Sequence, residues 1–127
     1  MTFDEYQHNV IKTWDCGKTP KDRLLNAIMG IAGEAGELTD LIKKQEFHGI
    51  PADRDKVLKE LGDVLYYVTV CAYEHGFNLD DIAVANNRKL AARYPQGFVK
   101  GGGIREDDHA TQPGRTGLHQ APGGTLP

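Results

Sequence analysis

Several features that define large classes of proteins are missing from this chain. Its 127 residues include only two cysteines, Cys16 and Cys71, which form no CxxC motif. Two cysteines are too few for a disulfide framework, so the composition favours a reducing compartment. The N-terminus lacks the basic and apolar regions of a signal peptide, and no uncharged apolar run approaches the ~20 residues that span a bilayer. We therefore expect a soluble, cytoplasmic protein without a membrane partner.

Positive charge is not in excess either. The formal net charge is −3. A mildly acidic chain is a poor candidate for binding the phosphate backbone of DNA or RNA, so no nucleic-acid partner is expected. The sequence also contains no Gly-rich phosphate loop, no GxSxG motif and no HExxH motif. These absences argue against a P-loop nucleotidase, a serine hydrolase and a zinc protease of those types.

The C-terminal stretch has no aromatic residue. From Lys100 to Pro127 there is no Phe, Trp or Tyr, and seven of the 15 glycines fall there. Such a segment cannot bury enough apolar surface to offset the entropy lost on ordering. We expect a helical domain over residues 1–99 and a disordered Gly/Pro-rich tail over residues 100–127. A domain of about a hundred residues has a modest core, which favours assembly as a homodimer or homotetramer.

What is present is helical periodicity. Apolar residues recur at alternating spacings of three and four, and no period-2 alternation of useful length occurs. In the second segment this pattern predicts a core stripe of Leu24, Ile28, Ile31, Ala35, Leu38 and Ile42. Turn and capping residues divide the pattern into four segments, near residues 3–15, 20–45, 55–75 and 78–94. Thr19-Pro20 predicts the start of the second segment. The fold class is therefore predicted to be all-α, a domain of the four-helix-bundle type.

Two pairs of carboxylates interrupt the apolar pattern of the two central helices. They are Glu34 with Glu37, and Glu60 with Asp63. The first pair provides the only charges in residues 24–38, and Asp63 is the only charge in residues 61–73. Each pair has i, i+3 spacing, so its members share one helix face. An ionised carboxylate among apolar neighbours costs on the order of several kcal/mol without a counter-charge, and no Lys or Arg lies within either run. We therefore predict that all four carboxylates are metal ligands.

Oxygen ligands without a nearby His or Cys suit hard cations, so the metal is predicted to be Mg²⁺, with Mn²⁺ as a substitute. Four negative charges would accommodate two or more divalent ions. A di-iron bundle would require Glu-x-x-His on the core helices. Within the predicted helices there is one match, Glu5–His8, near the start of the first helix. The di-iron alternative is therefore disfavoured.

Basic residues near the predicted site suggest a polyphosphate ligand. Lys44 lies seven residues after Glu37, two turns further along the same face. On the fourth segment, Asn86, Lys89 and Arg93 fall at i, i+3 and i+7. Cations facing a metal–carboxylate cluster would bind phosphate oxygens that the metal leaves unpaired. An ordinary solvated face remains the alternative for this stripe.

Aromatic and imidazole side chains could contact a nucleobase. Trp14 and His48 are candidates for base binding by stacking. A core position for Trp14 and a plain loop position for His48, beside Gly49, are the alternatives.

Three stretches of the sequence together resemble the MazG-like nucleotide pyrophosphohydrolases. They are GIAGEAGELTDLIKK, KELGDVLYYV and NNRKLAARYPQGF, and the resemblance extends from Thr2 to Phe98. It implies an all-α fold that assembles as dimers or tetramers. It also implies Mg²⁺-dependent hydrolysis of nucleoside triphosphates between the α- and β-phosphates, giving the monophosphate and pyrophosphate.

The resemblance also implies roles for individual residues. The four carboxylates match the family's metal ligands, and Glu34 or Glu37 would orient the attacking water. The positions of phosphate-contacting residues are taken by Lys44, Asn86, Lys89 and Arg93. Some members carry a further Glu where this chain has Gly33.

Two alternatives remain open at the level of sequence. One is a pyrophosphatase of the same superfamily that acts on phosphoribosyl-ATP or on dUTP. The other is a non-catalytic helical module that binds a nucleotide or a partner helix. Carboxylates embedded in apolar helices argue against the second, because a plain interaction surface gains nothing from them.

Overall fold

The computed structural model of the chain describes residues 1–14 and 19–100. These residues form four α-helices and no β-strand: α1 (Phe3–Ile11), α2 (Pro20–His48), α3 (Arg54–Glu74) and α4 (Leu79–Arg93). The predicted all-α class is confirmed. The prediction of a disordered tail concerns residues that, apart from Lys100, lie outside the described part of the chain.

Capping side chains determine where the helices begin. The hydroxyl of Thr2 accepts a hydrogen bond from the Glu5 amide at 3.1 Å, and the Glu5 carboxylate accepts one from the Thr2 amide at 2.8 Å. This reciprocal capping box satisfies two amides that α1 itself leaves unpaired. Thr19 caps α2 in the predicted way, with Pro20 at the first helical position. Glu5 therefore has a capping role at the start of α1.

Two helix ends differ from the sequence-based boundaries. α1 ends at Ile11, because the amide and the hydroxyl of Thr13 both donate to the Val10 carbonyl, at 2.9 and 2.7 Å, in place of continued helical bonding. α2 continues to His48, beyond the predicted end near residue 45. It stops where Gly49 adopts a left-handed conformation with φ of 66° and donates its amide to the Lys44 carbonyl.

The chain divides into two compact units, residues 1–88 and 89–127, with the boundary inside α4. In the first unit, α3 packs against both α1 and α2. The buried core consists of Val10, Trp14, Ala27 and Val70, surrounded by partly buried aromatic and aliphatic side chains. Contacts between α2 and α3 join Arg23 to Glu74 and Gly30 to Tyr67, so these two helices run antiparallel.

Much apolar surface in this unit remains exposed. On α2 the exposed side chains include Leu25, Ile28 and Met29, and on α3 they include Leu58, Leu61 and Leu65. Ile28 was predicted to belong to the core stripe of α2, yet 48% of its surface is exposed. In the described part of the chain, no helix has both the length and the apolar character that crossing a bilayer demands.

Candidate metal centre

Three of the four predicted carboxylates converge where α2 and α3 pack together. Glu34 of α2 and Glu60 and Asp63 of α3 each present one carboxylate oxygen, and these oxygens all lie within 4.8 Å of one another. The i, i+3 spacing places Glu60 and Asp63 on one face of α3. The antiparallel packing of the helices then brings Glu34 to that face. The geometry thus follows from helical periodicity and one helix–helix contact.

Glu37 lies outside this group of three. It is one turn after Glu34 on α2, and its side chain is exposed. It still acts electrostatically on Glu34. Its side chain therefore lies beside the cluster, where it is available to contact a ligand of the other three carboxylates.

The cluster is more open to solvent than its apolar sequence context indicated. Glu34 and Glu60 are half-buried, and Asp63 and Glu37 are exposed. The reason is that several apolar residues of both runs, such as Leu61, are themselves exposed in the single chain. Partial burial nevertheless raises the pKa of Glu34 above its ordinary value, and the charges of Asp63, Glu60 and Glu37 raise it further. Holding Glu34 in its ionised form therefore costs free energy that a cation would offset.

The donor set fits a hard divalent cation. All three ligand atoms are carboxylate oxygens, which Mg²⁺ prefers. Oxygens bound to one octahedral Mg²⁺ lie roughly 3.0 Å apart when adjacent and roughly 4.2 Å apart when opposite, since each Mg–O bond is roughly 2.1 Å. The three oxygens, within 4.8 Å of one another, would move closer together on binding the ion. Three protein ligands would leave coordination positions for water and substrate oxygens.

A tyrosine from α1 extends the site beyond the two central helices. Tyr6 packs against the core cluster. Partial burial raises the pKa of its phenol, with further contributions from Asp63 and Tyr66. The effect of Asp63 on the Tyr6 phenol places this residue in the surroundings of the carboxylate cluster.

Lys44 is held by an intrahelical ion pair. Its ammonium lies 2.5 Å from one carboxylate oxygen of Asp40, and the Lys43 ammonium lies 3.1 Å from the other. Hydrogen bonds from Lys44 and then Lys43 lower the pKa of Asp40. The pKa of Lys44 is raised, mainly by Asp40 and to a lesser extent by the charge of Glu37. Lys44 therefore lies within electrostatic range of Glu37, and phosphate binding by Lys44 stays a prediction.

The other predicted phosphate-binding residues lie on α4. Asn86 belongs to the first unit and is exposed. In the second unit, Lys89 is exposed and Arg93 is half-buried, with its guanidinium carbon 6.0 Å from the centre of the Tyr94 ring. This is the distance of a cation–π contact. Phosphate binding by these three residues stays a prediction.

The two predicted base-binding residues occupy different environments. Trp14 belongs to the core cluster with 8% of its surface exposed, and its indole N–H donates to Glu74 at 2.7 Å. Arg23 donates to the same Glu74 oxygen at 2.9 Å. His48 is the exposed last residue of α2. The structure thus gives Trp14 a packing role, and base binding by either residue stays a prediction.

Of the three glycines spaced along α2, one makes a close contact. A side chain at Gly30 would overlap the ring of Tyr67, whereas side chains at Gly33 and Gly36 would meet nothing within 4 Å. Among these three glycines, a close approach by another residue is therefore found at Gly30 alone, and it is made by an aromatic ring. Gly33, beside Glu34, borders open space.

Sequence reasoning did not identify Asp40 or the contact between Gly30 and Tyr67. The i, i+4 spacing from Asp40 to Lys44 was a readable signal for the ion pair. The Tyr67 contact depends on the rotation of α3 against α2, which no local pattern encodes.

Two comparisons with known proteins find similarity to this chain. The model of the MazG nucleotide pyrophosphohydrolase domain matches residues 23–98, which include all four carboxylates. The "Gene 37 protein" of Mycobacterium phage L5 is 35% identical over 79 residues, covering 59% of this chain and 69% of the phage protein. No solved structure matches the chain significantly.

Proposed function

The chain belongs to the MazG nucleotide pyrophosphohydrolase family, and on this premise we propose that it hydrolyses nucleoside or deoxynucleoside triphosphates between the α- and β-phosphates. The products are the nucleoside monophosphate and pyrophosphate. The observation that carries the proposal is the convergence of Glu34, Glu60 and Asp63 from two helices onto one point. A triphosphate requires such a centre, because its negative charge must be neutralised before a nucleophile can approach.

Glu34, Glu60 and Asp63 are the residues that would hold Mg²⁺, with Mn²⁺ as a substitute. The bound cation would neutralise phosphate oxygens and lower the pKa of a coordinated water. A second ion would be held by Glu37 together with one of these carboxylates.

The chain's own residues then orient the reactants. Glu37 lies one turn from Glu34 and outside the group of three oxygens, so we assign it the orientation of the attacking water, with Glu34 as its neighbour on the same face. Lys44 neutralises charge on the leaving pyrophosphate. The roles of the remaining predicted residues rest on sequence position alone. They are phosphate contact for Asn86, Lys89 and Arg93, and base contact for Trp14 and His48.

Product identification tests the reaction. Purified protein is incubated with Mg²⁺ and a panel of canonical and modified nucleoside triphosphates, and the products are identified by ³¹P NMR. We expect monophosphate and pyrophosphate, with no hydrolysis in the presence of EDTA. Release of orthophosphate as the only phosphorus leaving group would exclude cleavage between the α- and β-phosphates. Adding phosphoribosyl-ATP and dUTP to the panel tests the two related activities.

Substitution of Glu37 tests the assignment of the site. Glu37→Gln preserves the shape of the side chain and removes its charge, so we expect kcat to fall by roughly 10²–10⁴-fold. Glu46→Gln is the matched control, because Glu46 is an exposed carboxylate on the same helix. Its carboxylate accepts a hydrogen bond from the side-chain amide of Gln45. Equal activity of the Glu37 variant and the wild type would refute the assignment. Calorimetry showing no Mg²⁺-linked stabilisation of the wild type would favour a non-catalytic binding module.

We also propose that the protein is a homodimer or homotetramer. Leu25, Ile28 and Met29 on α2 are 47–70% exposed, and Leu58, Leu61 and Leu65 on α3 are 37–70% exposed. Each set has helical spacing, so it forms a stripe on its helix. Apolar stripes of this kind mark an interface. A second copy of the same chain presents matching stripes.

A further inference from the structure

Two lysines of α2 share one carboxylate close to the candidate metal centre. Lys43 and Lys44 contact different oxygens of Asp40, at 3.1 and 2.5 Å. Asp40 belongs neither to the carboxylate cluster nor to the residues that the family resemblance singled out. Its side chain is 33% exposed, whereas the lysines are 58% and 50% exposed. The carboxylate is therefore the more enclosed member of the group.

The direction of helical side chains determines where Lys44 is held. Long side chains on a helix point back toward its N-terminus, so the Lys44 ammonium reaches over the preceding turn, where Asp40 lies. Asp40 is in turn three residues after Glu37. The ion pair therefore holds the ammonium roughly 5.4 Å, or one turn, closer to the carboxylate cluster than the Lys44 backbone. The electrostatic effect of Glu37 on Lys44 agrees with this placement.

We propose that Asp40 is a positioning residue, which holds Lys44 in the orientation that binds the phosphates leaving as pyrophosphate. This inference rests on the proposed function. A free lysine has four rotatable side-chain bonds and must lose that freedom when it binds a phosphate. Asp40 restricts the freedom in advance, so the binding of phosphate costs less. Lys43 balances the carboxylate's charge, so the group keeps a net positive charge for an anionic ligand.

A simple i, i+4 ion pair that only stabilises the helix is the alternative, and the two predict different measurements. A stabilising pair changes thermal stability slightly and leaves substrate binding unchanged. A positioning pair changes KM. Asp40→Asn tests this because it removes the charge and keeps the size of the side chain. Asp40→Glu keeps the charge, and Glu46→Gln removes an equal charge elsewhere on α2.

For Asp40→Asn we expect KM to rise several-fold with kcat nearly unchanged. Asp40→Glu should raise KM less than Asp40→Asn does, and Glu46→Gln should behave like the wild type. In a Lys44→Gln background, Asp40→Asn should have no further effect, because the lysine through which it acts is gone. An unchanged or lowered KM, a loss confined to kcat, or full additivity of the two substitutions would overturn the proposal.

A binding measurement separates this inference from the proposed reaction. The dissociation constant of inorganic pyrophosphate is measured by calorimetry with Mg²⁺ present, which needs no turnover. Weaker binding to Asp40→Asn than to Glu46→Gln supports the positioning role even if the substrate panel shows a different reaction. Equal binding to both variants contradicts the role even if hydrolysis between the α- and β-phosphates is observed.

Discussion

Glu34 has the most perturbed environment among the carboxylates of the site. Its pKa is raised by partial burial and by the charges of Asp63, Glu60 and Glu37. A group whose pKa is higher in the folded than in the unfolded state binds its proton more tightly when folded. Folding stability is then gained as the pH falls through the raised pKa, and it is lost as the pH rises. At neutral pH without metal, ionised Glu34 therefore destabilises the fold.

We predict that metal-free Glu34→Gln melts at a higher temperature than the metal-free wild type at neutral pH. The difference should shrink as the pH falls through the raised pKa toward the ordinary value of 4.5, because Glu34 of the wild type becomes protonated. Calorimetric scans at several pH values measure this. Added Mg²⁺ should stabilise the wild type more than the variant. A wild type that is the more stable protein at neutral pH without metal would contradict the prediction.

Gly30 and Gly33 make a matched pair for a second test at single residues. The ring of Tyr67 occupies the space that a side chain at Gly30 needs, while Gly33 borders open space. Gly30→Ala should reduce the free energy of unfolding by about 1–3 kcal/mol through overpacking. Gly33→Ala should raise it by about 0.5–1 kcal/mol, because alanine favours the helix. Urea denaturation at one fixed protein concentration measures both, and equal effects of the two substitutions would contradict the packing at Gly30.

At the scale of helices, one buried acidic residue joins three elements. Glu74, near the end of α3, accepts from the Trp14 indole after α1 and from Arg23 near the start of α2. The side chains of Glu74 and Arg23 are only 6% and 21% exposed. Such an arrangement is worth more than a surface pair, because losing one partner leaves buried polar groups unsatisfied.

We predict that Glu74→Ala lowers the free energy of unfolding by about 2–4 kcal/mol. Glu74→Gln should lower the free energy of unfolding by less, because the glutamine amide oxygen still accepts a hydrogen bond from the Trp14 indole. Trp14 is the only tryptophan, so its fluorescence reports on this junction during urea denaturation. If Glu74→Ala lowers the free energy of unfolding by less than an ordinary surface substitution does, the junction contributes nothing to stability.

Local signals in the sequence account for most of the helices. Thr2, Thr19 and Gly49 act through capping, which depends on neighbouring residues alone, so these helix ends can be derived from sequence. The end of α1 was missed because Thr13 bonds to the backbone instead of extending the helix. Helical spacing also predicted that Glu34, Glu60 and Asp63 could meet. It did not show that Glu37 would stay outside the group, since this depends on how α2 is rotated against α3.

At the scale of the whole molecule, the described residues leave much of the apolar stripes on α2 and α3 uncovered. Met29 and Leu58 are each 70% exposed, and both belong to the central helices that carry the carboxylates. The antiparallel pairing of α2 with α3 uses only part of each apolar surface. Helical periodicity identifies the apolar positions on a helix face, but it does not indicate whether the same chain or another copy covers them. This explains why residues such as Ile28, predicted to be in the core, are exposed here.

We therefore predict that the wild-type protein has a mass in solution that is a multiple of the 14.0 kDa chain. Met29→Lys combined with Leu58→Lys should shift it to a monomer, because burying two ammonium groups in an apolar interface is costly, while both side chains are exposed within one chain. Light scattering after size-exclusion chromatography measures the masses, and circular dichroism tests whether the variant keeps its helices. Phe98→Ser, which removes an exposed apolar residue of the second unit, is the control and should leave the mass unchanged. A monomeric wild type at micromolar concentration would contradict the prediction, and the apolar stripes would then require a partner other than a second copy of the chain.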